Sequence, residues 1–182
     1  MKDPGIDSWR SSMIAGLLMG QEADGSFGVH PYREWTEAHW QLVSLVELGV
    51  PLGHMDSLRA MEGVLAWIGG QSIPKIVSGR ERRHASMEGN ALFVCCRLGL
   101  ADNDSVSSLV DTLLRSQWPD GGWNCDERPP RVTHHFMSPS HRFAALLHIT
   151  RPRMTSPRWR QLAAAPNCFS PIGSSDEAQA AR

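Results

Sequence analysis

The sequence predicts an all-α fold built from helical hairpins packed side by side. Three observations carry that expectation. Two kinds of apolar segment alternate along the chain, one apolar on nearly every side and one with a single apolar stripe. The alternation recurs at a step of about 50 residues, as in repeat architectures. Glycine-containing elements that end in an aromatic residue punctuate the segments.

The first such element is Gln21-Glu22-Ala23-Asp24-Gly25-Ser26-Phe27-Gly28. It fits the pattern Gln-x-x-Asp-Gly-x-aromatic. Asp-Gly permits the positive φ of a tight turn, and the terminal aromatic is then free to pack on an adjacent helix end. Thr36 to Leu48 follows as a helix apolar all round, and such a helix is buried on all sides. Gly49 ends it in the manner of a C′ glycine. Asp56 to Ile68 carries Leu58, Met61, Val64, Leu65 and Ile68 at spacings of three and four, which places one stripe inward. Trp67-Ile68-Gly69-Gly70-Gln71 stands where a middle copy of the punctuating element belongs, in degenerate form.

The pattern then repeats. Met87 to Leu98 is apolar nearly all round and is closed by Gly99. Ser105 to Ser116 turns Val106, Leu109, Val110, Leu113 and Leu114 to one side and leaves Ser107, Asp111 and Arg115 outside. Gln117-Trp118-Pro119-Asp120-Gly121-Gly122-Trp123 repeats the punctuating element, and a third copy of the buried helix is expected to start near Phe143. Gln21 to Trp123 should therefore hold about two and a half helix pairs, in two concentric layers. Trp9, Trp35, Trp40, Trp67, Trp118 and Trp123 are expected near segment ends.

The 182 residues suffice for one domain. With 18 Lys+Arg against 19 Asp+Glu the net charge is −1, without the basic surplus of a general nucleic-acid or anionic-membrane binder. No apolar run approaches the roughly 20 residues of a membrane span. Met1 to Gly20 lacks the basic and apolar regions of a secretory signal. Cys95, Cys96, Cys125 and Cys168 form no Cys-x-x-Cys pair, and Cys95 and Cys96 sit in an apolar run. Reduced, buried thiols and a cytoplasmic location are the expectation.

The repeated elements, the step of about 50 residues and the alternation of buried and half-exposed helices resemble the prenyltransferase and squalene-cyclase repeat family. Gln117 to Trp123, followed by Asn124-Cys125-Asp126, is the most specific piece, and Asp24 to Tyr32 comes next. The resemblance spans approximately Ile14 to Thr133. It implies an α/α toroid, or α6-α6 barrel, and here an incomplete one. It also implies that the glutamine of each element bridges helix ends and ties neighbouring repeats. Gln21, Asp24, Gly25, Phe27, Gln117, Asp120, Gly121 and Trp123 are then structural. A terpenoid cyclase or prenyltransferase relative would bind an isoprenoid-type apolar substrate in a central cavity.

Four groups of residues are candidates for chemistry. Cyclases of this family protonate substrate with Asp-x-Asp-Asp, for which Asp102-Asn103-Asp104 is the nearest sequence here. Its carboxylates are better read as capping the helix that follows. The family's protein prenyltransferases hold zinc with Asp, Cys and His. Cys125, Asp126 and His134 offer those ligand types with His135 and His141 nearby, in a different local pattern, and a polar loop with one free thiol accounts for the same residues. Gly79-Arg80-Glu81-Arg82-Arg83-His84 leads into a buried helix. Arg82, Arg83 and His84 would suit the diphosphate of an isoprenoid, or form a solvated charged loop. Finally, Trp35, His39 and Trp40 on one buried-helix start, with Glu88 and Asn90 on the next, would line one mouth of the cavity. Aromatic faces there stabilise a carbocation by cation–π attraction, while packed core explains the same residues. No other cofactor is expected.

Closing a ring at about 50 residues per helix pair takes roughly 250 to 300 residues. An open array leaves an apolar flank, so self-association is expected. Residues 1–134 form the repeat region, and 135–182 read as an irregular tail without sustained helical period. Read from the third base of each codon, Asn167 to Ser175 can spell Leu-Phe-Leu-Ser-His-Arg-Leu-Phe. His135 to Ser138 can give Leu-His-Glu in the same way. Both are family-like, which suggests a frameshift near His134 or His135. A non-catalytic toroid fragment or pseudoenzyme, with a binding role or none, is the alternative to an active enzyme.

Overall fold

The computed structural model describes residues 4–28, 30–33, 35–71, 76–77, 79–81 and 85–117. Five helices make up almost all of it: α1 (Pro4–Leu18), α2 (Ala38–Glu47), α3 (Met55–Gly69), α4 (Ala85–Leu98) and α5 (Asp104–Ser116). Between α3 and α4 lies a minimal antiparallel ribbon, β1 (Ile76–Val77) and β2 (Arg80–Glu81), with Ile76 opposite Glu81 and Val77 opposite Arg80. The fold is all-α, and α2 to α5 fall where the periodicity puts them.

The buried and half-exposed helices alternate as expected. On α4 a continuous run from Met87 to Cys96 is buried apart from Asn90, and Leu98 follows. Such a helix needs neighbours on every side, and α4 packs against α2, α3 and α5. On α2, Ala38, His39, Leu42, Val43, Leu45 and Val46 are buried, while Ser44 and Glu47 reach solvent. The other two helices each bury one stripe. On α3 it is Ser57, Ala60, Met61, Val64 and Ile68, and on α5 it is Val106, Leu109, Val110, Leu113 and Ser116. Helices α2 and α4 lie side by side, α3 packs on both, and α5 packs on α4 and α3. Two staggered layers result, with one continuous apolar core between them.

The helix ends follow from local chemistry. Gly49 (φ 81°) and Gly99 (φ 91°) take the left-handed conformation that their C′ positions require. After α2 the Val50 N–H donates to the Leu45 carbonyl (3.0 Å) and the Gly49 N–H to Val46 (3.1 Å). After α4 the Leu100 N–H donates to Cys95 (2.8 Å) and the Gly99 N–H to Cys96 (3.3 Å), the same Schellman arrangement. Helix α3 is capped by His54, whose Nδ1 accepts from the Ser57 N–H (3.3 Å). The Gly53 N–H donates to the Leu98 carbonyl (3.2 Å), so the turn inside one hairpin satisfies the end of the next. Before α5 the cap is the Asn103 amide oxygen, which accepts from the Ser105 N–H (2.9 Å). This corrects the expectation that the carboxylates of Asp102 and Asp104 cap the helix. Asp104 is instead the first helical residue, where its charge meets the positive end of the helix dipole.

Helix α1 was not anticipated as an element. Ile14, Leu17 and Leu18 rest against the core and α1 packs on α2, while Trp9 and Met13 are exposed. Trp9 lies inside α1 rather than near its end. Gln21, Gln71 and Gln117 follow shortly after α1, α3 and α5. Phe143 and the whole segment 135–182 lie outside the described residues.

Candidate functional site

The first punctuating element acts as a tie between helices. The Gln21 side-chain N–H group, Nε2, donates to the Gly25 carbonyl (3.0 Å) and to the carbonyl of Asp56 in the first turn of α3 (2.9 Å). The turn itself closes through Gly25 N–H to Glu22 (2.9 Å) and Glu22 N–H to Ser26 (2.8 Å). Asp24 Oδ1 accepts from the Ser26 N–H (2.9 Å), and the hydrogen bonds from Ser26 hold the Asp24 carboxyl below its ordinary pKa. Phe27 packs on the core. Gln71 behaves differently: its Nε2 donates to the carbonyl of Trp67 near the end of the preceding α3 (3.3 Å), and no bridge to another helix is found for it among the described residues. Of the later copy only Gln117 is described. Asp120, Gly121 and Trp123 lie outside the described residues.

The turn delivers the chain into an aromatic cluster at the start of α2. The Tyr32 ring stacks on Trp67 (centroids 5.8 Å apart, planes at 12°) and meets His39 edge-on at 4.9 Å. Trp40 lies 5.7 Å from Tyr32 and 4.7 Å from Trp35, and His30 stands against Trp67 at 5.1 Å. Three of the anticipated residues, Trp35, His39 and Trp40, are thus brought together. Tyr32, His30 and Trp67 join them unforeseen. Tyr32 closes the segment Asp24 to Tyr32, and Trp67 ends a helix that runs back toward the start of α2, so antiparallel hairpin geometry was the available signal.

The cluster has a buried centre and an exposed rim. His39 is 1% exposed, its Nε2 has no hydrogen-bond partner among the described residues, and burial depresses its pKa to about 4. The imidazole is neutral at pH 7. Trp40 Nε1 is likewise buried without a partner among the described residues. Trp35 is 71% exposed and holds φ at 72°, a left-handed conformation that costs a residue with a side chain about 1 to 2 kcal/mol.

A pH dependence follows from His39. The unfolded chain takes up a proton near pH 6.5 and the folded one only near 4. Stability present above 6.5 is therefore lost as the pH falls toward 4, by up to about 3 kcal/mol. Urea unfolding at several pH values should show that loss in the wild type, and a His39→Gln variant should lack most of the slope.

The remaining anticipated residues lie elsewhere. Glu88 is buried but faces the other way, into a cleft of about 330 Å³ that it shares with Leu65 and Ile68 of α3 and Ser105, Ser108 and Thr112 of α5. Asn90 is half-buried on α4. The expectation that Glu88 joins His39 at one mouth is corrected. At the 50-residue step Glu88 matches Ala38, one position before the equivalent of His39, and about 100° per residue separates those two directions. Gly79 (φ 74°) turns the β1–β2 ribbon, while Arg82, Arg83 and His84 lie outside the described residues. So do Cys125, Asp126 and His134. Among the described residues no group of three His, Cys, Asp or Glu is placed to hold a metal ion. Cys95 and Cys96 are buried free thiols, and burial pushes Cys96 up to about 12, so both are inert core groups. Among the described residues no helix is long and apolar enough to cross a membrane.

No protein-family model, no curated protein and no solved structure matches the chain.

Proposed function

We propose that the chain is part of an α/α toroid of the prenyltransferase and squalene-cyclase kind, and that the aromatic cluster at the start of α2 binds an isoprenoid-type apolar ligand. The tie from Gln21 to Asp56 supports the repeat reading, because it is the bridge that the resemblance implies. The alternation of fully buried and half-exposed helices supports it too. The observation that carries the ligand reading is the ring set Tyr32, Trp35, His39, Trp40 and Trp67 gathered at one helix start. Aromatic faces offer an apolar wall with negative potential, suited to polyene chains and to positive charge developing on them. The neutral His39 adds a hydrogen-bonding nitrogen and no fixed charge.

Binding without turnover is the second reading, and the same neutral imidazole favours it. A group that protonates only near pH 4 is a poor proton donor at pH 7.

Titration of the full chain with farnesyl diphosphate and with squalene, followed by tryptophan fluorescence, tests the binding. Trp35→Ala is expected to weaken it on the order of tenfold while changing stability by no more than about 1 kcal/mol. Product analysis after incubation separates an enzyme from a binder. Absence of binding to either compound would remove the proposal.

A further inference from the structure

The half-exposed helices α3 and α5 border a cleft to which α4 contributes Glu88. Its volume of about 330 Å³ is that of a small-molecule pocket. Leu65 and Ile68 of α3 and Leu109 of α5 supply apolar surface. Ser105, Ser108 and Thr112 follow one another at spacings of three and four, so their hydroxyls share one side of α5. Glu88 is the single charged residue among the described residues that line the cleft, and it is 1% exposed. It stands in a run of α4 that is otherwise buried and apolar, where packing alone asks for no charge.

We propose that this cleft binds a small organic ammonium ion with an apolar body. Apolar walls concentrate the field of a lone charge, and here that charge is negative, so the cleft selects cations. An ammonium group carries several N–H donors and no acceptor. The Glu88 carboxylate and the Ser105 and Ser108 hydroxyls offer it oxygens, while Leu65, Ile68 and Leu109 offer its body apolar contact. Glu88 already interacts within the chain, and a carboxylate accepts several donors at once, so the ligand adds to that interaction. Thr112 is committed: its Oγ1 donates to the Ser108 carbonyl (2.9 Å) and accepts from Arg115 Nη2 (3.2 Å). A neutral alcohol of the same shape meets the hydroxyls but forms no ion pair with Glu88. Occupancy of the cleft is independent of any ligand at the aromatic cluster, from which Glu88 faces away.

Calorimetric titration of the full chain with phenethylamine and with phenethyl alcohol tests the site. The amine should bind about tenfold tighter than the alcohol. Glu88→Gln keeps the shape and removes the charge, and it should abolish that preference. Ser108→Phe fills the cleft from an exposed position on α5 and should remove binding of both compounds while leaving the fold intact. Trp35→Ala should leave amine binding unchanged, which separates the cleft from cation–π capture at the aromatic cluster. Equal binding of amine and alcohol, no binding of either, or amine binding that survives Ser108→Phe overturns the proposal, as does a loss in Trp35→Ala. Should Glu88→Gln not fold, Ser108→Phe and the comparison of amine with alcohol decide.

Discussion

Replacing Gly25 by alanine is expected to destabilise the folded chain by about 4 kcal/mol. Two costs add at this position. Gly25 holds φ at 90°, where a side chain brings about 1 to 2 kcal/mol of strain. A Cβ there would also stand 2.7 Å from the Arg59 carbonyl carbon and 2.9 Å from the Ala60 nitrogen. Both are backbone atoms of α3 and cannot swing aside as a side chain would. Either α3 shifts or the turn lifts away, and lifting the turn breaks the Gln21 bond to Asp56. Gly49→Ala is the control. Gly49 has a similar φ of 81° and open space around it, so only the backbone cost of about 1 to 2 kcal/mol applies. Equilibrium urea unfolding followed by far-UV circular dichroism measures both. Equal losses would show that the close approach to α3 is absent in solution.

This contrast also shows what the sequence made legible. Asp24-Gly25 announces a turn, and Gln21 with Phe27 announces a repeated element. That the glycine is needed mainly for contact with another helix is not written in the turn itself. It depends on a backbone more than thirty residues away. Helices α3 and α5 were legible because their apolar residues recur at spacings that only a helix brings to one side, and α2 and α4 because each is a long apolar segment closed by a glycine. Helix α1 was not, because its apolar residues Trp9, Met13, Ile14, Leu17 and Leu18 serve no single buried stripe, and Trp9 and Met13 stay in solvent.

The candidate site was legible in part for a similar reason. Trp35, His39 and Trp40 lie within one short segment, and local sequence can assemble them. Tyr32 and Trp67 enter through the return of α3 toward the start of α2, which is a tertiary fact. Glu88 was misplaced because helix faces diverge quickly: at the 50-residue step it matches Ala38 rather than His39, and one position is enough to send a side chain into the neighbouring groove.

The second large effect concerns the core between the layers. Leu92→Ala is expected to cost about 4 kcal/mol, near the upper part of the range for leucine truncation. Leu92 is 0% exposed on α4, a helix with α2, α3 and α5 around it. A cavity opened there is walled by rigid elements on several sides, and little can relax into it. Leu65→Ala on α3 removes the same atoms from a half-buried position next to the 330 Å³ cleft and should cost about 1 to 2 kcal/mol. The ratio of the two losses reads the layering directly. A single-layer arrangement, with α4 open to water on one side, would give both leucines similar costs. Hydrogen exchange offers an independent reading: amides of α4 should open only with global unfolding, and Leu92→Ala should speed their exchange by the full loss in stability. If Leu92→Ala costs no more than Leu65→Ala, α4 is not enclosed, and the aromatic cluster at the start of α2 loses the buried layer on which it stands.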